Sequence, residues 1–192
     1  LGEQALAGLH EERHQDALVT AETALKYGPN LRGLRYNYAT ALEKVGRGSE
    51  ALGVFEKLAR QELDTPDLAL HFSRALYAEG RKADAEAMAL KAVELWPHVA
   101  ALHRSLSRMR QLAGAAEASV AANEAAIQAF PKDLSLRLAC ADSLHRGGYN
   151  AKAFNVLEEA LRLAPESPVL LNAVGVVLDE LDRPLDGLRA LR

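Results

Sequence analysis

The sequence predicts an all-α protein built from repeated antiparallel helix pairs, and two observations support this prediction. The chain of 192 residues contains 36 alanines and 33 leucines, which are good helix formers. Phe, Tyr and Trp make up only 5% of it, whereas a β-sandwich or barrel requires alternating β-branched and aromatic residues. The second observation is a repeat, because Gly46, Gly80, Gly114 and Gly148 are each 34 residues apart.

Composition and charge exclude several other classes of protein. Charged residues make up 26% and hydrophobic residues 49%, which is too apolar for a disordered chain. No apolar run approaches the ~18 residues of a membrane span, and no targeting segment is visible. We therefore expect a cytoplasmic protein without a membrane partner. The single cysteine, Cys140, excludes an internal disulfide, and a net charge of −3 does not favour nucleic acid.

The 34-residue period also governs proline and the small residues. Pro97, Pro131 and Pro165 keep the same step, and Pro29 fits two steps earlier. Three columns of small residues run through the chain without an insertion, which indicates a structural repeat. The columns are Ala17, Ala51, Ala85, Ser119, Ala153 and Gly187; Ala5, Ala39, Ser73, Ser107, Ala141 and Gly175; and Ala24, Leu58, Ala92, Ala126 and Ala160.

Each period contains two predicted helices in a fixed order. Apolar residues recur at helical spacing over 32–45, Gly46 ends that helix, and Ser49 is placed to cap a second one. Leu52 and Phe55 then lie on one face of the second helix. The later pairs are 66–79 and 83–96, 100–113 and 117–130, and 134–147 and 151–164.

Glycine and proline mark where the helices end and begin. Glycine after the first helix permits the left-handed conformation of a C-cap, and proline after the second helix cannot continue it. Pro66 and Pro168 instead stand at a first helical position, where proline is well tolerated. Cys140 falls on an apolar position of a first helix, so we expect it in the core.

This pattern resembles the tetratricopeptide repeat (TPR) family over the whole chain. The resemblance implies an all-α, right-handed superhelical solenoid of antiparallel helix pairs, A and B, with the Ala39 column at the close-packing site of helix A. The aromatic residue usual early in helix A is missing, and Leu63 replaces a unit-ending proline. The implied units are 1–31 (partial), 32–65, 66–99, 100–133, 134–167 and 168–192 (partial). We expect a single array that is a fragment of a longer protein.

Two short motifs suggest enzymatic chemistry, and the repeat argues against both. His10-Glu11-Glu12-Arg13-His14 matches the zinc-protease pattern H-E-x-x-H, which requires one continuous helix. The repeat register places it across the turn between the helices of unit one, so we expect a solvated turn. The segment 46–51 fits a loose G-x-G-x-x-A dinucleotide pattern but follows a predicted helix rather than a strand. We predict no cofactor, no metal and no enzymatic activity.

Unit four departs most from the repeat. His103, Arg110 and Asn123 stand where neighbouring units use apolar or small residues. Such departures often mark functional or strained sites, and here they equally indicate a locally weak unit. Faster opening of residues 100–130 that a ligand slows would favour the first interpretation.

The resemblance places a partner-binding groove on the inner wall formed by the A helices. Four predicted A helices, 32–45, 66–79, 100–113 and 134–147, carry a net charge of +5, which leaves −8 on the rest of the chain. Arg104 and Arg108 are one helical turn apart, and Arg74 of the preceding unit should neighbour Arg108. Arginine suits carboxylates and phosphates, and tyrosine adds rigid contact area. The candidate groove consists of Tyr36, Arg74, Tyr77, Arg104, Arg108, Gln111, His145 and Arg146.

We therefore predict a non-enzymatic protein–protein interaction scaffold that binds a protein or peptide, with an acidic segment favoured. The lysine–asparagine clamp of chaperone-tail-binding TPR proteins is matched only by Asn37, so such tails are not favoured. The alternative is an accessory TPR segment of a larger bacterial enzyme of glycosyltransferase, sulfotransferase or 2-oxoglutarate/iron oxygenase type, with its catalytic domain outside these residues. A further alternative is self-association through the apolar C-terminal unit.

Overall fold

The computed structural model describes residues 2–28 and 31–181, with side chains from Arg13 onward. This part of the chain forms ten α-helices and no β-strand. None of these helices combines the length and the apolar character needed to cross a bilayer. The helices are α1 (Gly2–Tyr27), α2 (Arg32–Lys44), α3 (Gly48–Gln61), α4 (Pro66–Ala78), α5 (Lys82–Leu95), α6 (Ala100–Leu112), α7 (Ala116–Ala129), α8 (Leu134–Arg146), α9 (Asn150–Leu163) and α10 (Pro168–Glu180).

The predicted helix pairs are confirmed, and their ends differ from the predicted ends by about one residue. Each A helix ends at a glycine with positive φ: 81° at Gly46, 80° at Gly80, and 78° at Gly114 and Gly148. At the first of these turns the Gly46 N–H donates to the carbonyl of Glu43 and the Arg47 N–H to that of Leu42. The other three turns repeat this Schellman pattern, which reverses the chain within a few residues.

The expected turn in unit one is wrong, because α1 runs without a break from Gly2 to Tyr27. In the glycine column unit one has Glu12, and a residue with a Cβ does not readily adopt the left-handed conformation that this turn needs. The H-E-x-x-H motif therefore lies on a continuous helix backbone, although the side chains of residues 10–12 are outside the described part. Ala17, next in α1, is exposed, whereas Ala51 and Ala85 of its column are fully buried.

The expected cap at Ser49 is also wrong. Helix α3 begins at Gly48 with Arg47 in the N-cap position, and no side chain accepts a hydrogen bond there. The Ser49 hydroxyl donates instead to the carboxylate of Glu79 at the end of α4. The two helix-starting prolines are confirmed, since Pro66 begins α4 and Pro168 begins α10.

The chain divides into two compact units, unit 1 (Leu1–Ala92) and unit 2 (Val93–Arg192). Leucine and phenylalanine side chains such as Leu42, Phe55 and Leu76 fill the core of unit 1. Unit 2 has a core cluster around Leu144 and Leu157. From α2 to α9 every member of the three small-residue columns is buried, so the columns mark close helix contacts. These residues are Ala39, Ser73, Ser107, Ala141, Ala51, Ala85, Ser119, Ala153, Leu58, Ala92, Ala126 and Ala160.

A buried polar network joins α6, α7 and α8 inside unit 2. The Ser119 hydroxyl lies 3.0 Å from those of both Ser107 and Ser143, and 2.9 Å from the Ser107 carbonyl oxygen. The amide of Asn123 donates to Ser143 Oγ at 3.1 Å and to the Ala139 carbonyl at 3.3 Å. Its Oδ1 is buried and has no hydrogen-bond partner among the described residues. The network therefore links three helices and leaves one acceptor unsatisfied.

The residues that break the repeat in unit four bond within unit 2. His103 Nε2 lies 2.9 Å from the Pro97 carbonyl oxygen, and its ring packs edge-on against Phe130 with the centroids 5.5 Å apart. Arg110 Nη1 donates to the Ala118 carbonyl at 3.4 Å. Together with Asn123, these side chains connect neighbouring segments. Whether residues 100–130 also open faster stays a prediction.

Two glycine-to-alanine substitutions in unit 1 should change stability in opposite directions. A Cβ at Gly80 or at Gly53 would meet no atom within 4 Å, so only the backbone conformation distinguishes them. We expect Gly80→Ala to lower the free energy of unfolding by about 1–2 kcal/mol, because φ is +80° there. Gly53→Ala, inside α3, should raise it by about 0.5–1 kcal/mol. Urea unfolding followed by circular dichroism measures both, and equal shifts would contradict the assigned turn.

Asn123→Asp should be strongly destabilising. Aspartate would replace the donating amide with an oxygen facing the Ala139 carbonyl and would bring a charge to a fully buried position. We expect a loss of about 3 kcal/mol or more in the free energy of unfolding. Asn155→Asp, on the exposed side of α9, is the matched control and should stay within about 0.5 kcal/mol of the wild type. A similarly small effect at both positions would show that the buried network is not formed.

Candidate ligand-binding face

The A helices of unit 2 lie side by side, because α6 contacts α8 and α8 contacts α10. Among the described residues the B helices α7 and α9 make no such contact with each other. The side formed by α6, α8 and α10 is therefore the more closely packed one, as an inner wall requires. We call its accessible residues the inner face of unit 2. They are Ala101, Arg104, Arg108, Gln111, Ser135, Leu138, Asp142, His145, Val169, Asn172 and Val176.

A groove of about 470 Å³ runs between α8 and α10 on this face. Its lining is mainly apolar and includes Leu138, Val169 and Val176, while Asp142 and His145 stand among its polar residues. The Val169 side chain is 59% exposed and that of Val176 48%, although both are valines on a regular helix. An apolar surface left open in this way is typical of a binding site.

Arg104 is held inside unit 2 by an ion pair. Its Nη1 lies 3.1 Å from Oδ2 of Asp133, and both side chains are partly exposed. The other carboxylate oxygen of Asp133 caps α8 by accepting from the backbone N–H groups of Ser135 and Leu136, at 2.9 and 3.1 Å. Arg104 therefore ties α6 to the start of α8, and its charge is already neutralised.

Gln111 and Arg146 are also engaged, in their case with Asp142. Gln111 Nε2 donates to Oδ2 of Asp142 at 2.7 Å, and Arg146 Nε lies 3.2 Å from both oxygens of the same carboxylate. The structure thus brings together two of the predicted groove residues around an acid. His145 Nδ1 lies 2.8 Å from Oδ1 of Asn150, which fixes the imidazole ring at the edge of the groove.

Arg108 differs from the other predicted groove arginines of unit 2. It is exposed, and it forms no ion pair with any residue that the structure describes. Its neighbour on the same helix face, Arg104, is paired, so the cluster of two available guanidinium groups expected at this point reduces to one. Arg74 belongs to unit 1, so its predicted contact with Arg108 stays a prediction.

The predicted groove residues of unit 1 lie around an aromatic cluster on α2, α3 and α4. The ring of Tyr36 packs edge-on against His71 and Phe55, with centroid distances of 5.8 and 6.1 Å. His71 Nδ1 lies 2.7 Å from Oε2 of Glu43, which joins α4 to α2. This hydrogen bond is the main cause of the lowered pKa of Glu43. Burial first, and then nearby carboxylates, raise the pKa of the Tyr36 hydroxyl.

The other two predicted residues of unit 1 are more open. Arg74 is exposed, and Tyr77 is partly buried with Lys82 Nζ 5.8 Å from its ring centroid. Among the described residues, no three His, Cys, Asp or Glu side chains lie close enough to hold a metal ion. A helix precedes Gly46, as predicted, so the segment 46–51 lacks the strand that a dinucleotide fingerprint requires.

Sequence reasoning missed two features of the inner face of unit 2. Asp133, the acid that neutralises Arg104, was not among the predicted residues although it follows Pro131 at the start of α8. Val169 and Val176 were noted as apolar, but they were not assigned to the inner wall. They occupy the second and ninth positions of the unit that begins at Pro168, so extending the predicted inner-wall positions to that unit finds them.

Cys140 is fully buried, as predicted, although it is adjacent in sequence to two residues that line the groove. It belongs to the core cluster of unit 2. Burial raises the pKa of its thiol to about 11. The thiol is therefore protonated at neutral pH and faces away from any reagent in solution.

Helix pairs that repeat every 34 residues, closed by left-handed glycines and joined at small residues, define the tetratricopeptide-repeat fold. Comparisons with solved structures confirm this fold. The MamA fragment 41-end from Desulfovibrio magneticus RS-1 aligns with a TM-score of 0.69 at 18% identity, covering 84% of this chain and 91% of that one. YrrB, described as a TPR protein with an unusual peptide-binding site, aligns with a TM-score of 0.65 at 18% identity, covering 88% and 87%.

A further MamA structure, from MSR-1, aligns with a TM-score of 0.62 at 17% identity, covering 83% of this chain and 92% of that one. Identities this low establish a shared fold and nothing more specific. No family model matches the chain, and no curated protein matches its sequence.

The raised pKa of Cys140 predicts a thiol that does not react in the folded protein. At pH 8 a group with a pKa of about 11 is ionised in about one molecule in a thousand. We expect labelling by Ellman's reagent at pH 8 to be at least ~100-fold slower in the native protein than in 6 M guanidinium chloride. Complete labelling of the native protein within minutes would show that α8 exposes this residue.

Proposed function

We propose that this chain is a non-enzymatic protein-interaction scaffold that binds a linear segment of a partner protein on the inner face of unit 2. The observation that supports the proposal best is the open apolar groove between α8 and α10, with two half-exposed valines and a volume of about 470 Å³. Burying such side chains against a partner contributes about 25 cal/mol per Å² of apolar area. We expect partner and scaffold to meet in the cytoplasm.

The shape and the polar groups of the groove favour a peptide over a small molecule. The groove is open along its length, so a chain can enter and leave it at both ends. Ser135, Asn172 and His145 line it and can bond to the backbone of an extended segment. YrrB, which has the same fold, is described as having a peptide-binding site, and this supports the same use of the fold here.

The polar groups of the inner face support binding rather than catalysis. Asp142 is shared between Arg146 and Gln111, and His145 is held by Asn150. These bonds fix the surface in one arrangement. They do not align a nucleophile with a base, which is the geometry that covalent catalysis needs.

The test is a selection of binding peptides followed by two matched substitutions. A random library of 12-residue linear peptides on phage is selected against the full chain, and the enriched peptides are labelled with fluorescein. We expect Val176→Asp to weaken their binding at least ~10-fold in fluorescence anisotropy, because it places a charge in the groove. Val19→Asp, at another exposed valine on a helix, should leave the dissociation constant unchanged.

Two outcomes would contradict the proposal. The first is enriched peptides that bind the Val176→Asp variant as well as they bind the wild type. The second is a concentration-dependent increase in mass on sedimentation that the same substitution abolishes, since the groove would then be occupied by a second copy of the chain.

A further inference from the structure

We infer that the segment bound on the inner face of unit 2 carries an apolar side chain and, four residues away, a carboxylate. The apolar side chain occupies the groove between α8 and α10, and the carboxylate pairs with Arg108 on α6. This inference rests on the proposed function and adds the chemistry of the ligand to it.

The carboxylate follows from which cations are already paired. Arg104 bonds to Asp133 and Arg146 bonds to Asp142, so neither guanidinium group is available without breaking an ion pair. Arg108 is exposed and forms no ion pair with any described residue. A guanidinium group presents parallel N–H donors that match the two oxygens of a carboxylate. An acidic side chain is therefore the complement that Arg108 lacks.

The position of Asp142 decides where on the face the ligand's acid lies. Asp142 stands on α8 at the border of the groove, and its own charge disfavours a second carboxylate there. No acid occurs in the segment 100–113, so the surface of α6 offers positive charge alone. The ligand's acid is therefore expected over α6, and its apolar residue over the groove beyond α8.

The distance between the two subsites sets the spacing in the peptide. The axes of packed helices lie about 8–10 Å apart, so the middle of the α8–α10 groove is roughly 14 Å from the axis of α6. An extended chain advances about 3.4 Å per residue, which makes this distance about four residues. Side chains four residues apart in an extended chain point to the same side, so both can face the protein.

The experiment measures the coupling between Arg108 and the acid of the peptide. The most enriched peptide of the phage selection is synthesised with its acid and with the corresponding amide, each labelled with fluorescein. We expect Arg108→Gln to weaken binding of the acidic peptide about 5- to 10-fold in 50 mM NaCl and to leave the amide peptide unaffected. Raising the salt to 500 mM should reduce the difference, because the pair is exposed.

Arg162→Gln is the matched control, since Arg162 is an exposed arginine on α9, outside the inner face. It should bind both peptides as the wild type does. Circular dichroism of the Arg108→Gln protein should be unchanged, because this residue has no ion pair to lose among the described residues.

The outcomes separate this inference from the function on which it rests. Peptides that lose binding with Val176→Asp but carry no acid at this spacing, or whose acid shows no coupling to Arg108, overturn the inference and leave the proposed function standing. Failure of Val176→Asp to weaken any selected peptide overturns both. Equal losses with Arg108→Gln and Arg162→Gln would show a general effect of net charge and would also overturn the inference.

Discussion

The left-handed glycine that ends each A helix is the constraint on which the rest of the structure depends. An L-residue with a Cβ adopts that conformation only at a cost, whereas glycine adopts it readily, so the helix stops there and the chain turns back. Gly46, Gly80, Gly114 and Gly148 impose this turn at φ of 78–81°. The helix α1 shows the converse, because Glu12 occupies the same column and the helix continues to Tyr27. One backbone angle per repeat therefore decides whether the chain forms a helix pair or one long helix.

Once the turns are in place, the small residues determine which side of the helix pairs can bind a ligand. Alanine and serine in the columns let helices approach closely, as at Ala141 of α8 and Ala153 of α9, which are almost completely buried. In unit 2 this brings α6, α8 and α10 next to one another and leaves α7 and α9 apart. Residues on the accessible side of α6, α8 and α10 are not needed for packing. Their identities are accordingly able to vary from one repeat to the next, and the inner face carries a charged and an apolar part.

Much of this fold could be predicted from the sequence, because a period of 34 residues repeats the same local evidence several times. The helices from α2 onward and the buried small columns follow directly from it. Two errors have a common cause. The turn in unit one and the cap at Ser49 were assigned by register, although the residues at those places do not meet the local requirement. A column position predicts a structure only where the residue in it can adopt the conformation.

The candidate site was less predictable, because ion pairs depend on distances between residues that are far apart in sequence. Arg104 and Asp133 are 29 residues apart, and so are not neighbours in any helical pattern. Counting charges on the A helices indicated a basic wall, but such a count does not show which charges are neutralised. The structure reduces that wall in unit 2 to one exposed arginine, Arg108, beside an apolar groove. A narrower site of this kind makes a stronger demand on its ligand than a general excess of positive charge does.

The interior of unit 2 explains how these two subsites can act together. A ligand that contacts both α6 and α10 gains affinity only if the helices keep a constant separation, since ordering them on binding would cost free energy. The network of Ser107, Ser119, Ser143 and Asn123 joins α6, α7 and α8 by hydrogen bonds whose geometry is more specific than that of apolar contacts. The ion pair of Arg104 with Asp133 adds a second link between α6 and α8. The residues that break the repeat in the interior therefore hold in place the residues that vary on its surface.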